Sequence, residues 1–296
     1  MRQFSLNCSV GLFIAVWILT GVAAPAVAVA EDVNLTDLLK TFVEELVLIT
    51  PGEGKFPAKF EMGTNDAEAN ERPKHEVTFQ HPFSIARYET TQNLYQSVMG
   101  VNPSRWKGPR NSVEMMTWKD ANEFCQKITV QLQSREQIGP KEAIRLPTEA
   151  EWEFCCRAAT TTRYSFGDNA QRPEDVTPQA TLLGEYAWHT GNAAGNDPPV
   201  GTRKPNPWGL YDMHGYLWEF TSDDWHTNYN PVPVIGKDPS QATEVKRDQI
   251  DQRSIVVRSG SWKDPFPKLT STTRRRFPVT AADDAIGFRC VKDRVR

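Results

Sequence analysis

Residues that break regular structure punctuate this chain throughout: 21 prolines and 18 glycines are spread over its 296 residues. Proline removes a backbone donor and glycine costs conformational entropy, so each ends helices and strands quickly. A loop-rich, irregular α+β domain is therefore expected, with three short or medium helices. The first spans 91–99, with Leu94, Tyr95, Val98 and Met99 on one face and Gly100 available to end it. A second opens at Thr117, whose partner Asp120 stands three residues on, and carries Trp118, Ala121, Cys125, Ile128 and Leu132 at steps of three and four. On that stripe Cys125 reads as a small apolar thiol. The third opens at Thr148, which forms a capping box with Glu151 ahead of Trp152, Phe154 and Cys155. Strands are expected at 76–79, 84–88 and 254–262. The polar stretches 167–181 and 236–253 read as surface loops of one domain, because aromatic residues continue on both sides of each.

The first thirty residues carry Arg2, an apolar run over 10–24 and the small residues Ala28, Val29 and Ala30 before Glu31. This is the pattern of a secretory signal, with cleavage expected after Ala30 and a secreted or periplasmic mature chain. A retained signal would act as an anchor instead. No other segment is apolar enough to span a bilayer, and 31–44 read as a lead-in to the domain. A formal net charge of −3 gives no reason to expect nucleic acid as a partner. The one basic cluster, Arg274, Arg275 and Arg276, reads as a solvated or ion-paired face. Cys125, Cys155, Cys156 and Cys290 remain after export, where disulfides persist, and allow at most two bridges. Their spacing is no zinc pattern, and His75, His81, His189, His214 and His226 are scattered as surface or loop residues.

Seven segments carry a resemblance. They are GTNDAEANERPKHEVTF from 63, YETTQNLYQSVMGVNPSRW from 88, SVEMMTWKDANEFC from 112, RLPTEAEWEFCCRAATTTRYSFGD from 145, NPWGLYDMHGYLWEF from 206, VVRSGSW from 256 and IGFRC from 286. In that order they resemble the formylglycine-generating (sulfatase-modifying factor) enzyme family, over about 45–293. The resemblance implies a single domain of irregular C-type-lectin-like fold. It also implies, for the type members, copper-dependent oxidation of a sulfatase cysteine to formylglycine. That chemistry needs two thiolates for Cu(I), a soft ion that prefers sulfur. The matching positions here hold Asp264 and Leu269, so copper and the type activity are not expected. Ser259, Tyr216 and Phe220 also depart from the family's usual glycine, asparagine and tryptophan.

The resemblance further implies a calcium site built from the side chains of Asp212 and Glu219 and the carbonyls of Gly215 and Leu217, hard oxygen donors that suit Ca²⁺. It also implies a Cys156–Cys290 disulfide, and a substrate pocket at Trp218, Ser261, Asp264 and Arg274. Three functions stay open. The chain is an oxidase-like or peptide-modifying enzyme of altered chemistry, a non-catalytic protein binding peptide or glycan on the same scaffold, or a true formylglycine-generating oxidase with unrecognised ligands.

Overall fold

The computed structural model describes residues 34–194, 197–230 and 253–294; the expected signal segment and nearly all of the 236–253 loop lie outside them. Residues 34–294 belong to one compact unit. Its elements are α1 (Leu35–Glu44), β1 (Leu46–Ile49), β2 (Lys59–Met62), β3 (His75–Thr78), β4 (Phe83–Ala86), α2 (Gln92–Met99), α3 (Trp118–Ser134), β5 (Glu142–Arg145), α4 (Glu149–Arg157), β6 (Trp218–Asp224), β7 (Ser254–Arg258), β8 (Arg274–Pro278), β9 (Ile286–Gly287) and β10 (Val291–Arg294). One sheet runs β1-β4-β10-β5, a second β8-β7-β6-β9, and β2 and β3 form a hairpin pair. No helix among the described residues is long and apolar enough to cross a membrane.

The three expected helices form where local chemistry starts and stops them. The Thr117 hydroxyl accepts from the Asp120 amide while the Asp120 carboxylate accepts from the Thr117 amide, and Thr148 and Glu151 repeat the arrangement at α4. Gly100 ends α2 with φ 82°. Residues 35–44, read from the sequence as a lead-in, are helical instead. Asn34 caps them, and Leu38, Leu39 and Phe42 enter the core cluster that also holds Leu94 and Val98 of α2, the helix α1 packs against. Each such burial contributes roughly 1.5–3 kcal/mol. The third expected strand stops at Arg258, because Ser259 (φ 90°) and Gly260 (φ 102°) turn the chain into the left-handed region.

Helix α4 is the exception to amphipathic order. All nine of its residues are buried, Glu149, Glu151, Glu153 and Arg157 among them. Buried charges persist only when paired, and these are. Glu149 accepts from Arg258 Nη1 (2.8 Å), Arg274 Nε (2.6 Å) and Nη2 (2.9 Å), and the Tyr229 hydroxyl (2.9 Å). Glu153 accepts from Arg157 Nε at 2.9 Å and Arg258 Nη2 at 2.8 Å, and Glu151 takes the fork of Arg145 at 2.6 and 2.7 Å. These pairs fasten α4 to β5, β7 and β8.

Candidate functional site

The turn after β7 delivers the segment that matters. A side chain at Gly260 would lie 2.9 Å from the Lys268 carbonyl and 3.0 Å from Leu269 Cγ, so the end of the short helical turn Phe266–Lys268 presses directly on it. Ser259 holds its left-handed φ without the freedom of glycine, and its buried hydroxyl has no partner among the described residues. Beyond the turn, Asp264 Oδ2 accepts from Ser261 N (3.0 Å), Ser261 Oγ (2.5 Å) and Trp218 Nε1 (2.8 Å). Leu269 is 0% exposed and packs with Tyr164, Leu183 and Ala187. Its carbonyl accepts from His214 Nδ1 at 3.0 Å, while His214 Nε2 accepts from Ser165 N at 3.0 Å. This fixes the neutral tautomer, and burial lowers the His214 pKa to about 4. The histidine thus sits in a loop, as expected, but is buried and structural there rather than at the surface.

Trp218, Asp264 and Arg274 line one cleft of about 590 Å³, and Ser261 steadies Asp264 behind it. Arg274 is committed to Glu149, with its guanidinium stacked 4.6 Å from the Trp225 ring centre and 4.5 Å from that of Tyr229. Trp225, Lys268 and Arg275 are among the lining residues that the sequence reading missed. The expected basic face divides: Arg274 is buried and ion-paired, Arg276 donates to Ser254 Oγ, and Arg275 lies over Trp218 at 4.7 Å. A groove of about 1060 Å³ adjoins the cleft, sharing Glu68, Glu71, Lys268 and Thr273 with it.

The proposed calcium donors fit a hard cation in part. Glu219 is already engaged by Arg289, at 2.6 and 2.7 Å, and by Trp152 Nε1 at 2.8 Å. Asp212 Oδ2 accepts from Gly201 N at 2.9 Å, whereas its buried Oδ1 has no partner. Glu89, absent from the expected set, accepts from Leu217 N at 3.2 Å and leaves Oε2 buried and unpartnered. Burial, with Glu219 and Asp212 nearby, pushes the Glu89 carboxyl well above its ordinary value, and burial brings Asp212 to about 6. Two hard oxygens thus stand open beside one guanidinium. No group of three or more His, Cys, Asp or Glu side chains poised for a metal occurs among the described residues.

The expected Cys156–Cys290 bridge is not formed; all four described cysteines are free and buried. Cys156 sits among Trp152, Phe154 and Met213, with Sγ 3.4 Å from the Met213 carbonyl, and burial pushes its pKa up to about 12. Cys290 lies in the other core cluster together with Cys125, its Sγ 3.8 Å from the Thr90 hydroxyl. Arg289 reaches Glu219, and the next residue of an extended chain points the opposite way, toward α3. Mild oxidation followed by non-reducing peptide mapping is therefore expected to yield a Cys125–Cys290 peptide and leave Cys156 unbridged; a Cys156–Cys290 peptide would refute the placement.

The sulfatase-modifying factor enzyme 1-like domain matches residues 36–294. The chain belongs to that family. Family relatives include the chaperone protein LppX of Paenibacillus barcinonensis, 29% identical over 182 residues that cover 49% of this chain and 63% of that one. The formylglycine-generating enzyme of Mycobacterium tuberculosis is 31% identical over 158 residues, covering 51% and 52%. The alignments thus span about half to under two thirds of these relatives. Among solved structures, PvdO from Pseudomonas aeruginosa superposes with a TM-score of 0.65 at 26% identity, covering 84% of this chain and 94% of the other. The irregular mixed fold expected from the sequence is the one this family uses.

Proposed function

We propose that this chain is an exported family member that binds polypeptide in the Trp218–Asp264 cleft without converting cysteine to formylglycine. One observation carries the reading: the two positions where the family's thiolates would stand hold Asp264, fixed by three hydrogen bonds, and Leu269, wholly buried. A carboxylate is a hard ligand and leucine is none, so Cu(I) has neither of its strong donors there. The cleft and adjoining groove give an extended segment room to lie, and the similarity to a protein named a chaperone agrees with polypeptide as ligand. Aerobic incubation with Cu(I) and a cysteine peptide of sulfatase type is expected to give no formylglycine by mass spectrometry. A labelled unfolded polypeptide should still bind in fluorescence anisotropy. Formylglycine above the copper-only control, or no binding, would defeat the reading.

We further propose that Asp212 and Glu89 hold a calcium ion with the carbonyls of Gly215 and Leu217, Glu219 contributing through its charge. A ligand that binds only the folded state raises stability by linkage, about 2.7 kcal/mol at a hundred times its Kd. EDTA should lower the melting temperature, and added Ca²⁺ should restore it. An unchanged melting temperature, with no calcium in the purified protein by elemental analysis, would dismiss the ion.

A further inference from the structure

The geometry points to a carboxylate as the group this cleft selects: Arg275 receives an Asp or Glu side chain, or a chain terminus, of the bound polypeptide. This rests on the polypeptide-binding reading and names the class of segment. The other charges of the cleft are already engaged. Arg274 spends Nε and Nη2 on Glu149, and Nη1 on the carbonyls of Asn70 (2.9 Å) and His226 (2.8 Å). Lys268 pairs with Glu68 at 3.0 Å, and Asp264 Oδ2 carries its three hydrogen bonds. The Glu71 carboxylate takes the Thr272 hydroxyl at 2.5 Å, and burial raises its pKa.

Arg275 alone of the cleft's cations has neither a carboxylate nor a hydrogen bond among the described residues. It is held by stacking, its guanidinium 4.7 Å from the Trp218 ring centre and 5.8 Å from that of Phe277. Stacking fixes the plane of the guanidinium while leaving its N–H edge available, and that edge matches a carboxylate through two parallel hydrogen bonds. Trp218 and Trp225 supply apolar surface beside it, so the fitting segment places an acidic group next to apolar side chains. Ordinary surface arginines lose little by remaining solvated. This one is already ordered, so less rotamer entropy is lost on binding.

Anisotropy with the mature chain and three dye-labelled peptides of one apolar-rich sequence tests this. The first carries a central Gln and an amidated end, the second a central Glu and an amidated end, and the third the Gln with a free carboxyl end. At least one carboxylate peptide should bind about ten-fold more tightly than the neutral one, from a charge-assisted bidentate contact. Which one does so distinguishes a side chain from a chain terminus. Arg275→Gln should abolish that preference, and an unchanged circular-dichroism spectrum and melting temperature report that the variant is folded. Arg276→Gln, on the residue bonded to Ser254, should change nothing. Equal binding of all three peptides overturns the carboxylate assignment while polypeptide binding stands, and a preference that survives Arg275→Gln overturns the role of Arg275. No binding by any peptide removes both readings.

Discussion

Glu149→Ala is expected to destabilise the protein by about 3–5 kcal/mol, the usual cost of leaving buried charges without their partner. The carboxylate holds two guanidinium groups, those of Arg258 and Arg274, and the Tyr229 hydroxyl, all buried. The alternative effect, relief from desolvating Glu149 itself, is smaller, because Arg274 would lose its carboxylate partner and Arg258 would keep only Glu153, which already pairs with Arg157. At roughly 2–4 °C per kcal/mol for a domain of this size, the melting temperature should fall by about 10 °C. Calorimetry would show this against Glu44→Ala, which removes only an exposed pair with Lys40 and should shift it very little. A shift below about 2 °C would mean that the network contributes no net stability.

Arg289→Gln should cost a similar amount, with a pH dependence that identifies the cause. Arg289 is the cation among Glu219, Glu89 and Asp212. Burial raises the folded pKa of Asp212 to about 6, and that of Glu89 well above its usual value, while unfolded carboxyls titrate near about 4. A raised folded pKa means that the native state holds its proton longer. The associated stability is therefore complete below about pH 4 and is lost as pH rises through about 6 and beyond. In calcium-free buffer the ionised carboxylates repel once Arg289 is gone, so the variant's deficit should be larger at pH 8 than at pH 5. Urea midpoints across that range measure it. A deficit independent of pH would locate the damage in packing instead.

What the sequence disclosed follows the range of the interactions. The capping boxes at Thr117 and Thr148 span three residues, and each formed as its local pattern requires. Helix α1 was legible in principle: Asn34 is a capping residue, and Leu38, Leu39 and Phe42 have helical spacing, but their nearness to the signal segment disguised them. The pairing of Arg289 with Glu219 joins residues 70 apart in the chain, and no local pattern encodes it. The thiol pairing failed for a related reason. Composition shows that four cysteines exist, whereas the side of the chain on which Cys290 emerges is fixed by packing against α3. On β8 three consecutive arginines look equivalent on paper, and only strand alternation with the position of Glu149 separates them.

The seat of Leu269 bears on how such a chain could change its chemistry. Its Cδ2 lies 2.5 Å from where a side chain at Gly215 would begin, and it also abuts Gly260, so the leucine and two glycines form one fitted unit. Exchanging Leu269 for cysteine opens a void costing about 2 kcal/mol before any metal can repay it. Exchanging Asp264 strips three hydrogen bonds and likewise yields only one sulfur donor. Each single step is therefore disfavoured, while copper ligation rewards only the pair. A lineage holding these two residues faces a fitness valley on the way to the oxidase, and is more easily diversified through the exposed rim around Arg275.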